Sequence, residues 1–360
     1  MKTNQDPQGN VKPFSIAGRA VDLDSPPFVI AEISGNHGGS IDMAKALIDA
    51  AVTAGADAVK FQTYTADSMT LDSDAPEFRV SEEGSLWQGE TLFSLYTRAH
   101  TPWEWHGELF AYARERGLVA FSSPFDKQAV FLLERLECPC YKIASFEITD
   151  HELIKAAAQT GKPLIVSTGM ASLVEIAQAV QVARESGAES VSLLKCTSSY
   201  PAHPVDANLA TIPVLGSAFD CPVGLSDHSI GVGVAAAAVA LGASLIEKHI
   251  TLSRIDGAVD SAFSAVPEEF EMLVKECRNA WLARGSVHFG PSDGERASLK
   301  YRRSLYVVQD IAAGQPLTSK NVRALRPGLG LAPYEWPYIE GRLASHDLRR
   351  GSAVSWDSID

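Results

Sequence analysis

The chain has 360 residues, 46% of them hydrophobic and 21% charged, with a formal net charge of -13 at pH 7. That length can bury a large core and still carry a second module. An acidic chain is repelled by nucleic acid and by anionic membrane surfaces, so neither is expected as a partner, and any anion it takes needs a local basic pocket.

The five cysteines, Cys138, Cys140, Cys196, Cys221 and Cys277, form no CxxC pair. They favour neither a disulfide framework nor a thiolate zinc site, and a reducing cytoplasm fits them best. The first 27 residues are polar and proline-bearing, without the apolar run of a signal peptide, and the stretch ahead of residue 14 reads as a disordered start. No later segment has the length of a membrane span without a charge or a turn signal.

FSIAGRAV (14–21) alternates like a short hairpin that could plug one end of a barrel. A repeating pattern begins at Phe28. FVIAEI (28–33) reads as a strand, GNHGGS as a glycine-rich turn, and Ser40 caps a helix whose apolar residues recur at helical spacing until Gly55. DAVKFQ (57–62), LVAFSS (118–123), CYKIAS (140–145), PLIVST (163–168), SVSLLKCT (190–197), PVGLSD (222–227) and LIEKHI (245–250) continue the strands. Helical patterns lie between them, such as the one that Ser172 and Glu175 open as a capping box. Eight alternating units over roughly 250 residues are the length of a (β/α)8 TIM barrel.

The residues that break the apolar pattern at the strand ends are Glu32, Lys60, Gln62, Ser122, Ser123, Lys142, Ser145, Ser167, Thr168, Thr197, Ser226, His228, Glu247 and His249. Barrel enzymes place their chemistry at that end, although many such polar groups satisfy only loop hydrogen bonds. Lys60 and Lys142 stand among apolar neighbours, where an ammonium needs an anion; the candidates are an anionic substrate or an ion pair with Glu32 or Glu147. His228 and His249 end two neighbouring strands, with Glu247 and His249 on one face. They match no short zinc motif, but two imidazoles there could hold one divalent cation with positions left for substrate and water. The stretch Thr63–Glu90 is long for a βα connection and is expected to shape a substrate pocket. The tryptophans of TPWEWH (101–106) read as packing within a helical stretch that runs to Gly117.

After a helix over Pro267–Leu282 the pattern changes. The segments are a lead and hairpin (1–27), a barrel (28–287), a polar linker (288–298) and a small, mostly irregular β module (299–360). DIAAGQPLTSKNV (310–322) and DLRRGSAVSWDSI (347–359) are internal echoes, with Asp, Gly and apolar residues at matching offsets. So small a core is expected to lean on a partner surface.

AEISGNHGGS, ADAVKFQTYT, FSSPFD, YKIASFEITD, STGM, CTSSYPA, GLSDHS and EKHIT, followed by RRSLYVV and RPG, occur in this order. Together they resemble the sialic acid synthase family over nearly the whole chain from about residue 14. ASFEITD, CTSSYPA, GAVDSAFS and LWQGETLFSLYTRAHTPWEWH look like its pseudaminic acid-forming branch. Phe146-Glu147 stands where the neuraminate branch has Gly-Glu, and Ser198 where it has Asn.

The resemblance implies a synthase barrel joined to an antifreeze-like (β-clip) domain. Such enzymes condense phosphoenolpyruvate with an N-acetylated amino sugar, use a divalent cation (Mn2+ foremost, then Mg2+ or Co2+), and form a domain-swapped homodimer. By this resemblance His228 and His249 are metal ligands, and Lys60, Ser123, Lys142, Ser167 and Ser226 hold phosphoenolpyruvate. Ser123 keeps the hydroxyl of the Thr common in relatives. Glu32, Gln62, Glu147, Ser198, Tyr200 and Asp260 meet the sugar, and Arg326 arrives from the other subunit. Glu32, Lys60 and Lys142 form the catalytic set, Glu32 stabilising the cationic carbon or guiding the water that captures it. Two other readings stay open: a class I aldolase using Lys60, Lys142 or Lys195 as a Schiff base, and a non-catalytic carbohydrate- or ice-binding module.

Overall fold

The computed structural model describes residues 14–81, 85–255 and 257–360. The expected disordered start falls on 1–13, outside the described residues. The chain divides into two compact units between Gly285 and Ser286.

The first unit opens on an antiparallel hairpin, β1 (Ser15–Ile16) with β2 (Arg19–Ala20). Its Phe14, Ile16 and Val21 belong to the main hydrophobic cluster, and Arg19 pairs with Asp57 and covers the Phe28 ring. Eight parallel strands then close into a barrel: β3 (Phe28–Glu32), β4 (Ala58–Thr63), β5 (Val119–Pro124), β6 (Tyr141–Ile143), β7 (Leu164–Ser167), β8 (Val191–Cys196), β9 (Val223–Asp227) and β10 (Leu245–His249), with β10 returning to β3. This is the (β/α)8 barrel expected from the alternation. Each strand falls within one residue of its expected segment, except that β6 stops at Ile143 because Ser145–Glu147 turn into a 3-10 helix.

The helix signals act as their chemistry dictates. Ser40 accepts from the Met43 amide to open Ile41–Thr53, and Ser172 with Glu175 forms the capping box of Leu173–Glu185. The helix expected from Pro267 runs to Arg284. TPWEWH is a 3-10 turn leading into His106–Glu115, and its Trp105 packs on the core. Gly224 sits mid-strand in β9, where any Cβ would run into the Leu245 carbonyl and Leu194; glycine is what lets three neighbouring strands meet there.

Strand alternation sends residues two apart to the same face. The face of β3, β4, β6, β9 and β10 bearing Glu32, Lys60, Lys142, Ser226, Glu247 and His249 points into the barrel. The opposite face carries the buried pair Lys248 and Asp227, 2.6 Å apart, with Lys248 also donating to the Ser229 carbonyl.

The second unit contains 3-10 turns over Asp293–Tyr301, so part of the expected linker is structured. Beyond them β11 (Ser304–Val307) pairs antiparallel with β12 (Val322–Leu325). The two echoes lie side by side: Ile311 and Leu348 exchange both backbone hydrogen bonds. Asp347 accepts from the Ala313 amide and Asp310 from the Arg350 amide. That reciprocity explains why the same residue types recur at the same offsets. Leu305, Val307, Ile311, Leu317, Val322, Ile339, Leu348 and Val354 make the unit's own core. Arg326 lies in this unit, just after β12, before Pro327.

Candidate active site

The carboxyl ends of the barrel strands enclose a cavity of ≈ 540 Å³. Lys60, Gln62, Lys142, Glu147, Ser167, Ser198, Tyr200, Ser226, His228, His249 and Asp260 all line it. Residues spread over 200 positions converge because each stands at, or just after, a strand end. Glu32 and Ser123 are absent from the wall. They lie behind it, Glu32 2.8 Å from Lys60 Nζ and accepting from Gln62 Nε2, and Ser123 Oγ 3.4 Å from Lys60 Nζ. The long connection after β4 contributes Tyr64, Met69, Val80 and Trp87 to the wall, as its length suggested.

At the floor, Glu247 accepts from Lys60 at 3.0 Å, from Lys142 at 2.9 and 3.1 Å, and from Ser226 at 3.1 Å. This corrects the expected ion pairs. Lys60 does meet Glu32, but Lys142 meets Glu247, not Glu147. Sequence reading noted Glu247 at a strand end on the face of His249 yet gave it no role; alternation through LIEKH was the available signal.

Burial opposes every charge in this cluster, and the neighbours decide the outcome. Glu247 is held well below the usual carboxylate range because Lys142 and Lys60 outweigh its desolvation. Lys60 is pushed up by Glu247 and Glu32 against the same burial. Burial lowers Lys142, only partly offset by Glu247. Glu32 rises to about 7 through burial, which Lys60 opposes and Glu247 reinforces. Two ammoniums thus share one firmly ionised carboxylate, leaving the floor receptive to an anion.

The two histidines stand with ring centroids 5.3 Å apart. His228 Nδ1 lies 3.0 Å from the Thr197 carbonyl, which accepts its proton and in the neutral ring leaves the lone pair on Nε2; burial favours that neutral ring, but Cys196 and the Thr197 carbonyl outweigh it and push the imidazole up. His249 Nδ1 is buried with no hydrogen-bond partner, 3.8 Å from Asp260 Oδ2. Burial, and then His228, push the His249 imidazole well below its usual range, so it is neutral. A neutral ring with an orphaned nitrogen suits a cation. Among the described residues no group of three or more His, Cys, Asp or Glu is arranged to hold a metal, so a cation at this pair would take its remaining ligands from substrate and water. Cys196 was missed by the sequence reading; its sulfur is 3.9 Å from His228 Nδ1, which overcomes burial and brings the thiol down to about 7.

Several other strand-end groups serve only local structure. Thr168 donates to the Leu194 carbonyl, Thr197 to that of Asp206, and Ser122 pairs with Thr63. Lys195 lies off the cavity and donates to the Cys196 carbonyl. Asp260 accepts from Ser34, and Trp87 donates to the Val259 carbonyl and packs 6.1 Å from the Tyr200 ring.

Gly169, in STGM, donates its amide N–H to Ser145 Oγ, and a Cβ there would overlap Ser198 Oγ and lie 2.6 Å from Ser145 Oγ. Both serines line the cavity. Gly169→Ala is expected to cost about 1–3 kcal/mol as overpacking and to raise KM for the substrate these serines face, measured by thermal denaturation and steady-state kinetics.

The NeuB family matches residues 47–289 and the SAF domain residues 302–360. The pseudaminic acid synthase of Helicobacter pylori is 44% identical, over 93% of this chain and 98% of the relative. The pseudaminic acid synthase of Campylobacter jejuni is 43% identical, over 92% and 96%. Among solved structures, the N-acetylneuraminic acid synthetase of Leptospira borgpetersenii superposes with a TM-score of 0.71 at 31% identity, covering 80% of this chain and 95% of that one.

Proposed function

The chain belongs to the NeuB family, and on that premise we propose that it condenses phosphoenolpyruvate with 2,4-diacetamido-2,4,6-trideoxy-L-altrose and water. The products are pseudaminic acid and phosphate, released by C–O cleavage. The observation that carries the reading is the pair of buried lysines sharing Glu247 on the floor of a cavity whose wall also bears two histidines.

Lys60 and Lys142 hold the phosphate and carboxylate of phosphoenolpyruvate, with Ser167 and Ser226 beside them and Ser123 supporting Lys60. Ser167 Oγ is buried without a partner, as an unfilled donor should be before its ligand arrives. Gln62, Glu147, Ser198, Tyr200 and Asp260 meet the sugar; Glu147 Oε2 is likewise buried and unpartnered.

His228 and His249 would hold a divalent cation, Mn2+ by preference. Bound there, it supplies Lewis-acid polarisation of the sugar aldehyde.

The enol carbon of phosphoenolpyruvate bonds to the aldehyde carbon as the C=O π pair moves onto the aldehyde oxygen, which takes a proton from water. Positive charge develops on the carbon that bears the phosphate, where Glu247 and Glu32 offset it. Water adds to that carbon and gives its proton to Glu32. The hydrated intermediate then expels phosphate together with the bridging oxygen, as its new hydroxyl becomes the product's C=O and passes its proton to the departing phosphate. The lysines and carboxylates stand on strands, so little reorganisation is needed as charge moves.

The enzyme works as a domain-swapped homodimer in which Arg326 of one copy meets the sugar in the other. Phe146, Met170 and Val205, exposed on the connections after β6, β7 and β8, with Leu173 at the start of the helix that follows β7, support an apolar contact at that face. Five free cysteines, and no helix among the described residues long and apolar enough to cross a membrane, are compatible with a cytoplasmic enzyme.

Glu32 acts as a base only when ionised. With its carboxyl raised from 4.5 to about 7, kcat/KM is expected to fall with unit slope below about pH 7. Glu32→Gln should remove that limb along with most of the rate. The stability sign is opposite: the folded state binds the extra proton between these pH values, so this group's contribution to stability declines as pH rises through the window. A pH profile of kcat/KM with parallel denaturation curves checks both.

The reading is tested by offering the protein phosphoenolpyruvate with the altrose, with N-acetylmannosamine and with the diacetamido-trideoxy-mannose precursor of legionaminic acid. Phosphate release and a nonulosonic acid product are expected with the altrose. Turnover with a mannose-type sugar alone would overturn the substrate, and a borohydride-trapped pyruvate adduct would restore the Schiff-base aldolase.

A further inference from the structure

We propose that Lys248, Asp227 and Ser229, on the outer side of the barrel, form a clamp that sets the spacing of the His228 and His249 rings, and so act as positioning residues for the cation. This rests on the reading of the two histidines as its ligands.

The clamp is interleaved with the residues it positions. Asp227 and Ser229 flank His228 in the chain, and Lys248 directly precedes His249. β9 and β10 run parallel with Lys248 opposite Asp227 and Glu247 opposite Ser226. Alternation therefore turns Lys248 and Asp227 away from the cavity while Glu247's face turns toward it. Lys248 Nζ donates to Asp227 Oδ2 and to the Ser229 carbonyl, each at 2.6 Å. Asp227 Oδ1 accepts from the Ser229 amide at 2.9 Å and from the Ser229 hydroxyl at 2.6 Å. Lys248, Asp227 and Ser229 are all buried, so these charge-assisted bonds have no water to exchange with. They tie the end of β10 to the residues on both sides of His228.

On the cavity side the rings are held more loosely. His228 has the Thr197 carbonyl at Nδ1, whereas His249 Nδ1 has no hydrogen-bond partner. The separation of 5.3 Å between the rings is thus set from the backbone. There the Ala202 and Ala265 amides donate to the His228 and His249 carbonyls, and the clamp fixes one strand end against the other. Metal–imidazole bonds tolerate displacements of only about 0.2 Å. A buried ion pair is weak evidence for stability, since apolar residues of similar size often hold a core as well. Directed bonds between two ligand-bearing strand ends supply what apolar packing does not, a fixed register at the site.

The test titrates Mn2+ into the full-length protein without substrate, reading free Mn2+ by electron paramagnetic resonance, with thermal denaturation in parallel. The proteins are the wild type, Ser229→Ala, Lys248→Met, the double variant Asp227→Asn/Lys248→Met, and His249→Ala as the reference for a lost ligand. The double variant leaves no buried charge unpaired and keeps an acceptor for Ser229, so it cuts only the tie between the strands. Lys248→Met and the double variant are expected to bind Mn2+ about 10–100-fold more weakly at unchanged stoichiometry, and added Mn2+ should recover turnover in the double variant. Ser229→Ala, which keeps the ion pair, should show a smaller loss in the same direction. Wild-type affinity in the double variant, or lowered stoichiometry at wild-type affinity, would overturn the proposal and leave the pair as core packing. If neither Lys248 variant folds, Ser229→Ala decides, and unchanged affinity there overturns it. Binding by the wild type no tighter than by His249→Ala would instead bring down the histidine assignment beneath the proposal.

Discussion

His249→Ala is expected to abolish cation-dependent turnover while leaving the protein folded. The ring lies at the end of β10, beside His228, and its Nδ1 has no hydrogen-bond partner to lose. Removing it therefore costs packing against Phe263, 5.0 Å away, but breaks no polar network. On the proposed assignment, what is lost is one of two ligands for the cation. Lewis-acid stabilisation is worth several kcal/mol, so the rate should fall by about 10³-fold. Calorimetry should show Mn2+ affinity lowered by at least two orders of magnitude, with a circular dichroism spectrum like that of the wild type. Chelation should bring the wild type to the level of the variant. Full turnover by chelated variant would refute the role of this histidine.

Glu247→Gln should have the largest effect on the resting protein. The substitution keeps the shape but removes the negative charge that Lys60 and Lys142 share, leaving the buried Lys142 without its counterion and Lys60 with Glu32 alone. Breaking such a pair costs about 3–5 kcal/mol. Phosphoenolpyruvate carries the missing charge to the same place, so the variant should bind it more tightly than the wild type, where the ligand must compete with Glu247. Turnover should drop, because the lysines lose the group that sets their positions. Denaturation curves with and without phosphoenolpyruvate test this directly: the ligand-induced gain should be larger in the variant. Unchanged stability together with weaker phosphoenolpyruvate binding would show that Glu247 is not the counterion.

These two residues also mark how far sequence takes the reader. The barrel was legible because its signals are local: apolar strand runs recur eight times, with capping residues and glycine stops between many of them, and each acts within a few residues of itself. The wall-lining set was legible because strand-end position is a local property as well. Which group faces which was not. Lys142 and Glu247 are 105 positions apart, and their pairing follows from barrel closure and register, not from spacing. Lys142 lies five residues from Glu147 along the chain, yet the 3-10 turn at Ser145–Glu147 leaves Glu247 as its partner. Glu32 and Ser123 fall behind the wall for the same reason: side chains two apart share a face, but depth along the barrel decides which reaches the cavity. Trp87 stood in a motif of the resemblance and in a long loop, but neither told its contacts, since these depend on reaching Val259 and Tyr200 on other connections.

The central claim, that water attacks carbon and phosphate departs with its bridging oxygen, is tested most directly with phosphoenolpyruvate labelled by ¹⁸O in the C–O–P bridge. The protein is incubated with Mn2+ and the diacetamido-trideoxy-altrose, and the released phosphate is read by ³¹P NMR. Sugar-dependent release of phosphate that retains the label is the predicted result. Unlabelled phosphate, or release that proceeds equally without sugar, would contradict it.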